Sequence, residues 1–169
     1  MIKFKKNRED AIIPRKSKKG DAGFDLFTLD DCIIDKHETI VIPTGISVQL
    51  EQNQEASVRP RSGITLKGLE GAKYTSVDFL KIENECCCAE IEHNCSPYIR
   101  VIIGTLDSNY RGDIGIIVYN QEDYKVKIPA KTKLAQMVVS LISTDEVIIV
   151  DELDKSERGN KGFGSSGTK

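Results

Sequence analysis

The sequence predicts an all-β fold, either a sandwich or a barrel, and three observations support this prediction. Short segments rich in Val, Ile or Tyr recur along the 169 residues, often with alternating apolar and polar positions. Clusters of turn-forming residues separate several of these segments. No long stretch repeats its apolar residues at helical spacing. Many short strands at close spacing are typical of sandwiches and barrels.

The predicted elements follow in chain order. Strands are expected at 38–42, 46–50, 56–59, 114–119, 125–128, 134–141 and 146–150. One short helix is expected to begin after Ser62. Turn-forming residues crowd 104–113 between two apolar runs, which predicts a hairpin there.

Residues 68–98 differ from the rest because they combine several glutamates with three consecutive cysteines and show little periodicity. We expect either an inserted hairpin or an excursion on the surface. A loop of this length without structure is unusual unless it has a function. An ordinary surface loop is the simpler interpretation.

Composition limits the class of protein. The length suits one domain, and 39% apolar with 30% charged residues describes a globular chain. The net charge of −2 argues against a partner that is duplex nucleic acid. No apolar run reaches the roughly 20 residues of a membrane span, and the first residues lack the apolar core of a secretion signal. We therefore expect no membrane partner and a cytoplasmic location, or a nuclear one in a eukaryote.

The five cysteines do not suggest a disulfide framework, since their number is odd and three of them are adjacent. Cys86, Cys88, His93 and Cys95 could be written as a zinc set. Their short spacings are poor for surrounding one tetrahedral ion, so reduced thiols in a loop are the expected state.

Two segments could receive anions or cations. Asp25 lies in 21–26, where a carboxylate beside small residues at a strand start can hold a divalent cation through water. Arg61, Ser62 and Gly63 open the short helix and form a corner that suits an anion. By itself each segment could equally be an ordinary turn or a helix cap.

Two further segments could present groups to a substrate. Asp107 and Tyr110 lie in the predicted hairpin, so a base and an aromatic ring could be presented together. Gln136 is the neutral polar residue of an apolar strand. Its side chain either points outward, which is the default, or serves a site.

The C-terminal residues 158–168 combine glycines with two cations, a ring and two adjacent hydroxyls. Arg158 can hold phosphate oxygens with its fork of donors, and Ser165 can add a neutral donor. Phe163 can cover a flat base. The pattern suits an arm that closes over a nucleotide, although a solvated C-terminus is the usual outcome for such a composition.

Together and in this order, the five segments resemble the five motifs of the trimeric deoxyuridine triphosphatases (dUTPases). The resemblance runs from about Asp21 to Gly167 and excludes 68–98. It implies hydrolysis of dUTP to dUMP and pyrophosphate, which limits uracil in DNA and supplies dUMP for thymidylate synthesis. Asp107 would be the general base for a water that attacks the α-phosphorus. Mg²⁺ would be chelated by the phosphates, with Asp25 holding it through water.

The resemblance also implies the substrate contacts. Phosphate oxygens would be bound by Ser62, Gly63, Gln136, Arg158 and Ser165, with Arg61 bracing the corner at Ser62. The uracil and deoxyribose would contact Gly104, Thr105, Leu106, Tyr110 and Phe163, with Gly115 near the base and Gly164 as a further substrate-binding residue of the C-terminal arm. Two departures from the usual motifs stand out: Asp113 replaces a Glu, and the separation between Ser62 and Asp107 is longer than in common members.

The implied architecture is a distorted, jelly-roll-like β-barrel that assembles as a C3 homotrimer with shared active sites. Residues 1–157 would form the barrel domain, with 68–98 inserted, and 158–169 would be the closing arm. A protein regulator that binds through 68–98 stays open. The alternatives are a dCTP deaminase-like enzyme and a regulatory binding module on the same fold. The deaminase reaction needs a Glu near the base, which the Asp107–Tyr110 pattern does not supply.

Overall fold

The computed structural model describes residues 1–82 and 85–160, with the side chains of 1–74 and 93–160. Within these residues the chain forms thirteen strands and one short helix. In chain order they are β1 Lys3–Lys6, β2 Gly23–Phe27, β3 Cys32–Ile34, β4 Thr39–Pro43, β5 Ile46–Gln49, β6 Gln54–Pro60, α1 Ser62–Lys67, β7 Ala72–Ile82, β8 Glu85–Cys95, β9 Ile99–Ile102, β10 Gly104–Leu106, β11 Gly115–Asn120, β12 Val126–Ile128 and β13 Lys133–Leu141.

The described strands pair into four antiparallel sheets. Their orders are β1-β5, β10-β6-β13-β2, β4-β11-β9 and β3-β12-β7-β8. This confirms the all-β class. The ladders of the described residues form four separate sheets, and they do not close into one continuous barrel.

The core lies between the inner faces of these sheets. β11 shows why the chain folds this way: Ile116 and Val118 are fully buried, while the alternate residues Ile117 and Tyr119 are partly exposed. Alternate residues of a strand face opposite sides, so a period of two gives one face to the core. Burial of each such Val or Ile side chain contributes about 1.5–3 kcal/mol to the free energy that stabilises the folded state.

The sheet β10-β6-β13-β2 positions the polar groups that matter below. β13 lies between β6 and β2, so Gln136 is opposite Arg59 on one side and Asp25 on the other. α1 follows β6 directly. It ends at Gly68, whose φ of 80° is a conformation that favours glycine and whose N–H donates to Ile64.

Most of the predicted elements are confirmed. The strands expected between 38 and 141 lie within two residues of their predicted bounds, and α1 begins at Ser62. The apolar runs around 104–113 also pair, with Ile102 opposite Ile117. The connection is longer than a simple hairpin, because β10 within it pairs with β6 instead.

The prediction of a strand at 146–150 is wrong for the single chain. These residues form no strand, and Val147 and Ile149 are 94% and 98% exposed. A β-strand needs a neighbour to satisfy its backbone groups, and no described strand of this chain lies beside the segment. Its composition is that of a strand, but its partner is missing within one chain.

Residues 68–98 contain a hairpin, the first of the two expected forms. β7 pairs with β8 along eleven residues of each strand, from Ala72 opposite Cys95 to Ile82 opposite Glu85. β7 also pairs with β12, which attaches the base of the hairpin to the main body. At that base the ring of Tyr74 stacks on His93, with 4.8 Å between centroids.

No helix among the described residues has the length and apolar character that a membrane span requires.

Candidate functional site

A polar cleft of about 280 Å³ lies where β2, β13 and the start of α1 meet. Its lining residues come from widely separated parts of the chain: Ser17, Asp21, Ala22, Gly23, Asp25, Arg61, Ser62, Gly63 and Gln136. Three of the segments singled out in the sequence, those of Asp25, Arg61 and Gln136, are thus brought together.

Asp25 lies at the floor of the cleft and is only 8% exposed. Its Oδ2 accepts a hydrogen bond from Ser17 Oγ at 2.6 Å and contacts Lys133 Nζ at 2.9 Å, while Oδ1 lies 3.4 Å from Arg61 Nε. Burial raises the pKa of this carboxyl, but the hydrogen bonds from Ser17 and Lys133 and the charges of Lys133 and Arg61 outweigh it. The net pKa is therefore below its usual value. The carboxylate stays ionised and ties two cations together.

Arg61 connects Asp25 to the start of α1. It occupies the N-cap position, and its carbonyl accepts hydrogen bonds from the N–H and the hydroxyl of Thr65. Its Nη1 donates to the Lys133 carbonyl at 3.1 Å. Ser62 and Gly63, the first residues of the helix, are exposed, and the space beside Gly63 is open. Their backbone groups and the Ser62 hydroxyl can therefore approach an anion in the cleft.

Gln136 closes one side of the cleft and does not point to solvent in the default manner of a polar strand residue. Its Nε2 donates to the Pro60 carbonyl at 3.0 Å. A Cβ atom on residue 23 would lie only 2.3 Å from the Oε1 of Gln136, which is too close for any residue other than glycine. Gly23 is therefore required for Gln136 to lie across the cleft.

The turn at 107–113 is a separate feature. Asp107 is exposed, its carbonyl accepts from the Tyr110 N–H, and the Tyr110 hydroxyl donates to the Asp113 carbonyl at 3.0 Å. Neither Asp107 nor Tyr110 lines the polar cleft of the described chain.

Asp113, the residue that departs from the family motif, fixes this turn to the main body. Its Oδ1 accepts from the backbone N–H groups of Thr44 and Gly45, and its Oδ2 accepts from Asn7 Nδ2. Both carboxylate oxygens of Asp113 therefore hold the turn in place.

The remaining residues of the third segment divide by exposure. Thr105 is exposed and Gly104 is partly exposed, whereas the Leu106 side chain is buried, so only its backbone can meet a ligand. β10 is an edge strand, so one row of its backbone donors and acceptors has no neighbouring strand. Gly115 has a packing reason to be small, because a Cβ there would lie 2.5 Å from Val41 Cγ1.

The C-terminal arm is described only to residue 160. Arg158 is exposed within it, and the backbone N–H of Gly159 donates to the Ser156 carbonyl. The assignments of Phe163, Gly164 and Ser165 lie outside the described residues.

The protein groups of the cleft fit a divalent cation only if ligand phosphates and water supply its inner ligands. No group of three His, Cys, Asp or Glu side chains within the described part of the chain is arranged to hold a metal. Asp25 is a single buried carboxylate, and its Oδ1 keeps capacity to accept from water. This donor set fits Mg²⁺ whose inner ligands are ligand phosphates and water, but it does not fit an ion held by protein groups alone.

Two members of the suggested zinc set, His93 and Cys95, have described side chains. His93 stacks on Tyr74, and Cys95 is a free, partly buried thiol whose pKa is raised by burial and by the nearby Glu122. The side chains of Cys86 and Cys88 lie outside the described part.

Sequence reasoning missed Ser17, Gly23 and Lys133. Gly23 and Lys133 lie within or beside segments that the sequence singled out, but only the fold shows what they contact. Nothing in the sequence marked Ser17, which lies in a lysine-rich stretch before β2.

Comparison with known proteins gives a consistent result. A sequence model of the dUTPase family matches residues 9–75 and 95–167, which omits most of the β7–β8 hairpin. The chain is 39% identical to a deoxyuridine 5'-triphosphate nucleotidohydrolase of Clostridioides difficile, over 98% of this chain and 97% of that protein. It is 37% identical to the enzyme of the same name from Trichodesmium erythraeum, over 99% of each chain.

Two solved phage structures share the fold. A mutant Staphylococcus bacteriophage 80alpha dUTPase with dUpNHpp has a TM-score of 0.74 at 23% identity, over 99% of this chain and 98% of that one. A mutant dUTPase from phage phi11 of S. aureus, described with a structural Mg(II) ion, has a TM-score of 0.69 at 20% identity, over 92% and 99% of the two chains.

Proposed function

The chain belongs to the dUTPase family and hydrolyses dUTP to dUMP and pyrophosphate, and we propose that the polar cleft at Asp25 binds the triphosphate. The observation that carries this proposal is the contact network of Asp25, Arg61 and Lys133, which joins three distant segments around one polar cleft. Arg61, Ser62, Gly63 and Gln136 provide donors of the kind that phosphate oxygens accept.

Asp107 is the general base in this proposal. It is exposed on a turn, where its carboxylate can accept a proton from a water that attacks the α-phosphorus. Charge neutralisation and positioning by the cleft would supply most of the rate enhancement, as is usual for phosphoryl-type transfer. Mg²⁺, when bound with the triphosphate, would neutralise phosphate charge, with Asp25 holding one of its waters.

The exposed edge of β10 supports a role in binding the base. Backbone groups of Gly104, Thr105 and Leu106 on this edge can pair with the polar edge of uracil, and Tyr110 can lie against the deoxyribose. Tyr110 is 42% exposed, and its hydroxyl is held by the Asp113 carbonyl, so its ring has a fixed position at the surface. Gly115 provides a small residue near this region.

The C-terminal residues 158–169 would close the site. Arg158 and Ser165 would hold the γ-phosphate, Phe163 would stack on uracil, and Gly164 would allow the close approach of the backbone. An arm that orders when nucleotide arrives excludes water from the reaction.

We assign the chain to a C3 homotrimer with shared sites. Two observations support this: Asp107 does not line the cleft of the described chain, and a depression of about 910 Å³ beside β9 is lined largely by apolar residues, with Ile103 64% exposed. Exposed apolar surface of this kind marks an interaction site. The β7–β8 hairpin is the part of the chain that a protein regulator would contact.

The experiment is turnover of a nucleotide panel. With Mg²⁺, the purified chain should release pyrophosphate from dUTP and act much more slowly on dTTP, dCTP and UTP. Formation of dUTP from dCTP would instead indicate the deaminase, and binding of nucleotide without any product would indicate a regulatory module. Either outcome, or equal turnover of all four nucleotides, would contradict the proposal.

A further inference from the structure

Lys133 lies beside the polar cleft and contacts three of the residues that line it, Ser17, Asp25 and Arg61. Its Nζ lies 2.9 Å from Asp25 Oδ2 and 3.3 Å from Ser17 Oγ, and its charge lies 5.8 Å from the centre of the Phe27 ring. Its carbonyl accepts from Arg61 Nη1. Both the side chain and the backbone of Lys133 therefore hold residues of the proposed phosphate site.

A β-bulge explains how Lys133 reaches that position. Positions 133 and 136 of a regular strand would face opposite sides of the sheet. The register between β13 and β2 shifts between Lys133 and Ala135, so that Lys133 is opposite Phe27 while Gln136 is opposite Asp25. Asp25 and Phe27 are two residues apart and share one face of β2. The bulge thus brings Lys133 to the face of Asp25, and bulges beside active sites commonly redirect a side chain in this way.

Charge gives Lys133 a function beyond shape. Among the residues that the structure describes, the charged ones lining the cleft are Asp21, Asp25 and Arg61, so two carboxylates face one guanidinium. Without Lys133 the cleft would carry net negative charge and would repel a triphosphate. With Lys133 paired to Asp25, the floor of the cleft no longer opposes the ligand.

The same contacts also fix geometry. Ser17 and Lys133 together hold Asp25 Oδ2, which leaves Oδ1 to Arg61. Arg61 in turn occupies the N-cap position of α1, where its carbonyl accepts from Thr65, so its position sets where Ser62 and Gly63 begin the helix. A change at Lys133 is therefore transmitted through Asp25 and Arg61 to the phosphate corner.

We propose that Lys133, aided by Ser17, is a positioning residue that adapts this cleft to a triphosphate by neutralising and orienting Asp25 and Arg61. This inference rests on the proposed function, because it concerns how the same cleft binds dUTP. It assigns a role to two residues outside the candidate site predicted from the sequence.

The test compares Lys133→Met with Lys133→Arg. Met keeps an apolar stem against Phe27 but removes the charge, whereas Arg restores a cation. Calorimetric binding of the non-hydrolysable analogue dUpNHpp should weaken about tenfold or more in Lys133→Met, while binding of dUMP changes much less. The KM for dUTP should rise more than kcat falls. Lys133→Arg should recover most of the affinity, and Ser17→Ala should show a smaller loss with the same preference for the triphosphate.

Lys131→Met is the matched control, because it removes a lysine–aspartate pair of similar length, that of Lys131 and Asp10 at 2.8 Å, away from the cleft. It should leave both affinities unchanged. The inference would be overturned if Lys133→Met bound dUpNHpp as tightly as the unmodified chain, if its affinity for dUMP fell by the same factor, or if Lys133→Arg recovered none of the lost affinity. None of these results would bear on dUTP hydrolysis by the unmodified chain. Absence of that hydrolysis would instead contradict the proposed function.

Discussion

Asn120 is a fully buried polar residue at the end of β11, and its hydrogen bonds join three segments of the chain. Its Nδ2 donates to the carbonyls of Ile34, Asp35 and Tyr124, and its Oδ1 accepts from the Glu122 N–H. The apolar alternation of β11 gave the strand but did not reveal this role, since in the sequence Asn120 belongs to a turn-forming cluster.

Replacing Asn120 with Leu should lower the free energy of unfolding by about 2–4 kcal/mol, because four backbone groups at buried or partly buried positions lose the hydrogen bond that this side chain provides. Chemical denaturation would measure this change. Asn109→Leu, at an exposed position of the 107–113 turn, is the control and should change stability by less than about 0.5 kcal/mol. A similar, small effect of both substitutions would show that Asn120 does not hold these segments together.

The candidate site also shows how far single residues can be predicted. Asp25, Arg61 and Gln136 were singled out because their local sequence is unusual, and the fold brings them to one cleft. Lys133 was not, because its position depends on a bulge in β13, and a shift of one residue in register has no signature in the sequence. The roles of Phe163, Gly164 and Ser165 stay predictions.

At the scale of elements, the sequence predicts the short alternating strands correctly, but it does not show whether a segment has a strand to pair with. The strands between 38 and 141 have periodic apolar residues and defined turns, so their positions follow from local sequence. The segment 146–150 has the same composition, but a strand also requires a partner, and composition does not say whether one exists. For a related reason the sequence does not decide between a hairpin and a loop at 68–98: these residues show little alternation, and their pairing depends on a neighbouring strand.

The β7–β8 hairpin should be separable from hydrolysis. The family model omits 76–94, and Ser76 is directly opposite Ile91. Replacing 77–90 by Asn-Gly would close these strands with a two-residue turn and keep the Tyr74–His93 stack at the base. The shortened chain should fold and hydrolyse dUTP within about twofold of the full chain, since the family model matches the chain on both sides of these residues and omits them.

Circular dichroism and steady-state turnover would check this prediction. A shortened chain that folds but has lost most of its activity would show that the hairpin contributes to the site. Loss of binding to a candidate protein partner, with turnover retained, would assign regulation to the hairpin.

At the scale of the whole molecule, the proposed site has two parts, the polar cleft and the turn with Asp107, and Asp107 does not line the cleft of the described chain. A closed ring of three chains would place the cleft of one beside the turn of the next. The exposed apolar residues of 146–150 and of β9 would then have neighbours to cover them. Neither the division of the proposed site between chains nor the covering of these apolar residues can be read from local sequence patterns, because contacts between copies leave none.

Complementation between two inactive variants tests this shared site most directly. Asp107→Asn removes the base and Arg61→Gln disables the cleft, so each variant alone should bind or turn over dUTP poorly. If each site takes its cleft from one chain and its base from another, refolding an equal mixture should restore about one quarter of the wild-type activity, since one site in four then has both intact parts. Light scattering of the same mixture should show a trimer. Activity no greater than the sum of the two variants, in a mixture shown to contain hybrid trimers, would contradict the shared site.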